Sequence, residues 1–145
     1  MNDRYTPTFN IHEAVRKTLP YMMEMREYFH AHPELSEKEF DTCKTIFQEL
    51  SLMGIEDVKI IAGTGVTGAL PGPVILLRAD IDALPLTEKF DCPYSSLVDG
   101  VMHACGHDGH AANLLGVAKI LNKHKDCLRG TIRLAFQPAE EGNGG

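Results

Sequence analysis

The sequence contains no basic run. Lys and Arg number 14 against 20 Asp and Glu, for a formal net charge of −6. Nucleic acid is therefore not expected as a partner. No apolar run approaches the length of a membrane span, so no membrane partner is expected either. The N-terminal stretch MNDRYTPTFN has no apolar core of the kind a secretory leader carries. The four cysteines, Cys43, Cys92, Cys105 and Cys127, fall at irregular spacings. Without a leader, that spacing predicts reduced thiols and a cytoplasmic location, not a disulfide framework. Internal repeats and low-complexity linkers are absent. GTGVTG lacks the Lys-Ser/Thr ending and the following helix of a phosphate loop.

What is present is enough for one domain: 145 residues, 43% of them hydrophobic. The apolar spacing predicts a helix from Ile11 to about Phe29, with Ile11, Val15, Leu19 and Met22 as its buried stripe. Pro20 sits inside that stripe and is expected to kink or split it. Ser36 and Glu39 have the spacing of a capping box for a second helix. Its apolar face would be Phe40, Cys43, Phe47 and Leu50, and Gly54 would stop it. Strand-like runs follow at VKII, GTGVTGAL, VILLRA and TIRLAF. VILLRA and TIRLAF are apolar enough to predict strands buried on both faces. Between them lie a loop from about Leu84 to Met102 and a helix from about Gly109 to Lys123. Ala104 to His107 should be non-helical. Helices alternating with apolar strands indicate an α/β layered domain.

The chemistry concentrates in VMHACGHDGHAANLL, Val101 to Leu115. Cys105 and His107, two apart, share a face in extended backbone, and Gly106 allows close approach to whatever they hold. Thiolate and imidazole are preferred zinc ligands. Asp80 and Asp82 stand at the end of VILLRA, again two apart. Glu140 and Glu141 stand just past TIRLAF. Loops at the carboxyl ends of strands are where α/β sheets bind ligands. Adjacent glutamates serve one site only if the backbone bends between them, which Pro138 and Gly142 permit. One carboxylate would then bind metal, and the other would handle a proton of a bound water.

RADIDALPL, GVMHACGHDGHAANLLGVAKIL and GTIRLAFQPAEEG, with HAHPELSEKEFDT upstream, resemble a metallo-amidohydrolase family. That family contains hippurate hydrolase, N-acyl-amino-acid amidohydrolases and plant indole-acetyl-amino-acid hydrolases. It is a branch of the aminoacylase and carboxypeptidase group of zinc exopeptidases. The resemblance runs from about Met22 to Gly145. It implies a three-layer α/β/α sandwich around a mixed sheet, incomplete in this chain, with a lid or dimerisation domain that the chain lacks. It implies two divalent metal ions, zinc or manganese, with cobalt and nickel also used among relatives. It implies Cys105, His107 and Glu141 as metal ligands, Glu140 as general base, and Asp82 as the group orienting a ligand from behind. Asp80 takes the place of a ligating histidine of the wider group and is assigned a supporting position. The substrate implied is a small N-acyl amino acid, and the full-length protein is a candidate homodimer. Family members carry further histidine ligands downstream, so residues 1–145 are expected to be the N-terminal part of the catalytic domain. On that expectation the chain alone would be an inactive fragment or a metal-binding module.

Asp108 is read as a helix N-cap or as a partner for a ligand histidine. His30, His32, His103 and His110 are read as structural residues of their turns and helix start. His124 is read as exposed and Cys43 as core. A competing reading makes Cys105 a nucleophile with His107 or His110 as its base, which leaves the carboxylates without a role.

Overall fold

The structure, a computed structural model, describes residues 9–70, 74–128 and 130–142. Two helices come first, α1 over Ile11–Ala31 and α2 over Phe40–Leu52. Strands β1 (Glu56–Ile61), β2 (Gly65–Leu70) and β3 (Ile75–Asp80) follow. Helix α3 spans His107–Lys123, and β4 spans Ile132–Gln137. The strands form one mixed sheet in the order β1-β2-β4-β3. β1 with β2 and β2 with β4 are antiparallel, while β3 runs parallel to β4. The parallel pair needs a crossover, which the 84–102 loop and α3 supply. That crossover brings the carboxyl ends of β3 and β4 side by side, with Asp80 paired to Gln137.

α2 and α3 pack on the sheet, and α1 packs on α3. The core is the helix-facing side of the sheet, with Val66, Leu70, Ala79, Leu134 and Phe136 against Ile46, Leu50, Ala111, Leu115 and Ala118. The opposite side carries Thr67, Ala69, Arg133 and Ala135, half-buried or exposed. Of the expected three layers, two are present among the described residues.

Four local expectations differ from the fold. The buried stripe of α1 is Thr18, Met25 and Phe29, with Met22 against Gly116, where a Cβ would collide with it. Ile11, Val15 and Leu19 are exposed, while Tyr21 and Tyr28 face α2, where they meet Glu49 and Thr45. Pro20 does not divide the helix. On α2 the buried face is Thr42, Cys43, Ile46 and Leu50, while Phe40 is 65% exposed. Finally, β3 is an edge strand and not doubly buried. Among the described residues it pairs with β4 alone, and Ile75 and Leu76 are 59% and 61% exposed.

The Ser36–Glu39 capping box does not form. α2 starts at Phe40, and its first-turn amides at Asp41 and Thr42 donate to the Glu34 carboxylate, at 3.2 and 2.7 Å, and not to Ser36 or Glu39. Both residues are committed elsewhere: Ser36 donates to Asp82, and Glu39 is fully buried.

Candidate metal centre

Asp82 organises the site. It follows β3, is 1% exposed, and binds three separate segments. Its Oδ2 accepts from the Ser36 hydroxyl and from the Glu141 amide, each at 2.8 Å. Its Oδ1 and its carbonyl oxygen lie 3.1 and 3.0 Å from His107 Nδ1. Burial alone would raise the Asp82 carboxyl, but the Glu141 amide, the Ser36 hydroxyl and His107 outweigh it and hold it below its ordinary value. Because both groups facing His107 Nδ1 are acceptors, that nitrogen carries the hydrogen. The lone pair therefore sits on Nε2, which lies 3.9 Å from a Glu140 oxygen and 3.8 Å from a Glu141 oxygen.

The other side chains arrive by local backbone devices. α3 begins at His107, two residues before the expected Gly109 and inside the stretch expected to be non-helical, with Gly106 as its N-cap at φ 83°. A Cβ at Gly106 would meet nothing, so glycine is required there by conformation and not by space. Asp108 lies inside the first turn and is not the cap. After β4 the chain turns through Ala139, at φ 54°. Glu39 holds this turn: one oxygen accepts from the Ala139 amide at 2.8 Å and the other from the Thr64 hydroxyl at 2.7 Å. That bend points both adjacent glutamates at His107.

Ligand atoms of Cys105, His107 and Glu141 all lie within 4.8 Å of one another. The set offers one sulfur, one imidazole nitrogen and one carboxylate oxygen, a donor mixture suited to zinc and neighbouring transition metals. Two carboxylates and a thiol converge here, with no cationic side chain paired to them among the described residues. Their hydrogen bond and charge push the Cys105 thiol up, Glu141 contributing most. A divalent ion would reverse that sign. The residues present fit such an ion.

Asp80 is directed elsewhere. One oxygen pairs with Arg78, and the other lies 3.5 Å from His110 Nδ1. With His107 and His110 it forms a second group of potential ligand atoms within 4.8 Å. His107 is common to both groups and has a single free lone pair, so the two groups compete for it.

Asp108 does not support a ligand histidine. It is 2% exposed, and its Oδ2 accepts from His30 Nδ1 at 2.7 Å and Arg26 Nε at 3.0 Å. The far nitrogen of His30 lies 2.9 Å from Glu88. His30 and the Ser96 amide hold the Glu88 carboxyl below its ordinary value. His32 turns back onto the Tyr28 carbonyl at 2.8 Å. His103 is buried with no hydrogen-bond partner on either nitrogen among the described residues, and burial pushes its imidazole down to about 4. Glu39, Ser36 and Glu88 are the supporting residues that sequence reasoning missed. The signal for Ser36 and Glu39 lay in the HAHPELSEKEF segment, which reads as turn and cap until its partners in space are known; Glu88 lies in the 84–102 loop and carried no such signal.

A mixed α/β sheet here carries a sulfur, nitrogen and oxygen donor set at the carboxyl ends of its strands, a mixture suited to a metal ion. Residues 76–145 match the model of Peptidase family M20/M25/M40. It is 48% identical over 128 residues to the IAA-amino acid hydrolase ILR1-like 2 of Arabidopsis thaliana, covering 86% of this chain and 29% of the relative. It is 48% identical over 128 residues to the N-acetyl-L-cysteine deacetylase of Bacillus subtilis, covering 86% and 31%. A crystal structure of a Bacillus subtilis dinuclear metal binding peptidase from the M20 family superposes with a TM-score of 0.82 at 45% identity, covering 87% of this chain and 37% of that one. The chain thus spans about a third of the length of the curated relatives it matches.

Proposed function

We propose that this chain carries the metal-binding core of an amidohydrolase that cleaves the amide bond of N-acyl amino acids. The observation carrying this reading is the convergence of Cys105, His107 and Glu141 within 4.8 Å, with Glu140 beside the same imidazole nitrogen. A divalent ion bound there supplies Lewis acidity and lowers the pKa of a water. Glu140, 40% exposed and held by no hydrogen bond among those described, is free to take a proton from that water and to return it to the leaving nitrogen. Asp82 keeps His107 in the tautomer that presents Nε2. The products are a carboxylic acid and a free amino acid. The deacetylase and IAA-amino acid hydrolase relatives support an acyl-amino-acid substrate. The thiolate donor favours zinc on softness, with manganese, cobalt and nickel as alternatives. Two ions are proposed, as in the dinuclear relative. A reducing, cytoplasmic setting accords with four cysteines joined by no disulfide. Among the described residues no helix is long and apolar enough to cross a membrane.

The cysteine-nucleophile reading fares worse. A nucleophilic thiol is activated by a depressed pKa, whereas Cys105 is pushed up by Glu141 and the surrounding carboxylates. A second reading, metal binding without turnover, draws on the count of donors: three meet at the Cys105 group, fewer than a two-ion cage uses. The chain would then be the N-terminal part of a catalytic domain whose other ligands lie elsewhere in the protein.

The test compares this chain with a full-length relative of the family carrying the equivalent residues. Substituting glutamine at the Glu140 position should leave metal content intact and abolish hydrolysis of N-acyl amino acids. Normal turnover in that variant would remove the general-base assignment. Hydrolysis by the 145-residue chain itself would remove the second reading.

A further inference from the structure

We propose that His30 is a positioning residue for the metal centre, acting as a buried clasp between Glu88 and Asp108. The inference rests on the metal-centre reading above. His30 lies near the end of α1, with its side chain 8% exposed. Nδ1 meets Asp108 at 2.7 Å and Nε2 meets Glu88 at 2.9 Å. Ionised carboxylates only accept, so the bridge is complete when each ring nitrogen offers a hydrogen. Arg26, one turn earlier on α1, adds its Nε to the same Asp108 oxygen and stacks its guanidinium over Tyr94, 4.7 Å from the ring centre. Glu88 in turn accepts from the Ser96 amide at 2.7 Å. Three segments that are remote in sequence are thereby joined: the end of α1, the 84–102 loop, and the first turn of α3.

Both ends of the Cys105 segment are fixed by this arrangement. Upstream, Met102 is pinned to Leu84 by reciprocal backbone bonds of 3.0 and 3.1 Å, at the base of the loop that Glu88 ties down. Downstream, Asp108 is the residue after His107 and cannot rotate while His30 and Arg26 hold it. Between these anchors only His103 to His107 remain, and they include both Cys105 and the αL residue Gly106. Cys105 and His107 are thus aimed by a clasp that touches neither of them. Outer partners of this kind affect affinity by about 10–100-fold.

The experiment titrates the 145-residue chain with cobalt(II) and follows the thiolate-to-cobalt absorption, with Cys105→Ser identifying the band. His30→Ala should weaken cobalt binding by about tenfold or more and alter the band, because sulfur no longer sits at its set distance. A core control in α2, Ile46→Val, should lower the unfolding midpoint while leaving cobalt affinity and spectrum unchanged. Should His30→Ala not fold, Glu88→Gln, which keeps the side-chain shape and removes one charge of the clasp, should show the same loss to a smaller degree. Unchanged affinity and spectrum in the folded His30 or Glu88 variant would overturn the proposal, as would an equal loss in Ile46→Val. Absence of a Cys105-dependent band in the unsubstituted chain would instead overturn the metal-centre reading, and the proposal with it.

Discussion

Asp82 accepts the Glu141 amide hydrogen at 2.8 Å while its other oxygen faces His107 Nδ1 at 3.1 Å. A single buried carboxylate thus fixes the position of one candidate ligand and the tautomer of another. Asp82→Asn replaces one oxygen by an amide that can only donate, so one of these contacts becomes donor against donor. A loss of about 1.5–3 kcal/mol in unfolding free energy is expected for a buried charge-assisted bond. Metal affinity should fall by about 10–100-fold. Urea unfolding and metal titration measure the two separately. A variant with wild-type metal affinity would show that Asp82 has no part in orienting His107.

Glu39 does the equivalent work from the other side of the turn. Its two oxygens hold the Thr64 hydroxyl and the Ala139 amide in a fully buried position. Glu39→Gln leaves one of those donors facing an amide hydrogen. We expect about 1–3 kcal/mol of destabilisation, together with weaker metal binding, because Ala139 leads directly into Glu140. Thr64→Val, which removes one donor and leaves the Ala139 contact, should destabilise less and leave metal affinity intact. Equal effects on metal affinity from both substitutions would contradict this division.

Much of the architecture was legible because it rests on periodicity and strand-end logic. All four strands, the three helices and the convergence of Cys105, His107 and Glu141 follow from apolar runs and ligand types near strand ends. Burial was less legible, because it depends on which neighbours exist. VILLRA has the composition of a central strand, yet here it is an edge. Likewise Ser36 and Glu39 satisfy a local capping pattern but are drawn to tertiary partners, Asp82 and Ala139, that lie 46 and 100 residues away in sequence. Asp108 was placed at the right site with the wrong partner, since nothing in its spacing points to His30, 78 residues earlier.

The clasp also has a pH signature. Glu88 is held below its ordinary value of 4.5, first by its bond to His30 and then by the Ser96 amide. A carboxyl depressed in the folded state contributes stability that is fully present above its unfolded value. That contribution is lost as pH falls through the lower, folded value. The metal-free chain should therefore lose unfolding free energy progressively below about pH 4.5. Glu88→Gln should be less stable at neutral pH and show a shallower fall in this acid range. Urea midpoints collected from pH 6 downward test the sign. A variant with the same acid slope as the parent chain would show that Glu88 does not contribute.

The β3 edge of the sheet is open to pairing. β3 pairs with β4 on one side and, among the described residues, with nothing on the other. Val74, Ile75 and Leu76 are 68%, 59% and 61% exposed along it. Natural edge strands are protected by charge, proline or bulges. This stretch carries none of these until Arg78. An unpaired row of backbone donors and acceptors flanked by large apolar side chains is a template for pairing with another copy. The chain should therefore associate as its concentration rises, seen as increasing mass in sedimentation or light scattering. Leu76 lies opposite Arg133 on β4, on the side of the sheet away from the helices. Leu76→Glu places a carboxylate beside that guanidinium, a cross-strand pair contributing about 0.2–1 kcal/mol. It also puts charge on the bare edge, so the variant should be more nearly monomeric without loss of fold. If the parent chain stays monomeric at high concentration, or if Leu76→Glu associates as strongly as it does, the β3 edge is not the adhesive surface.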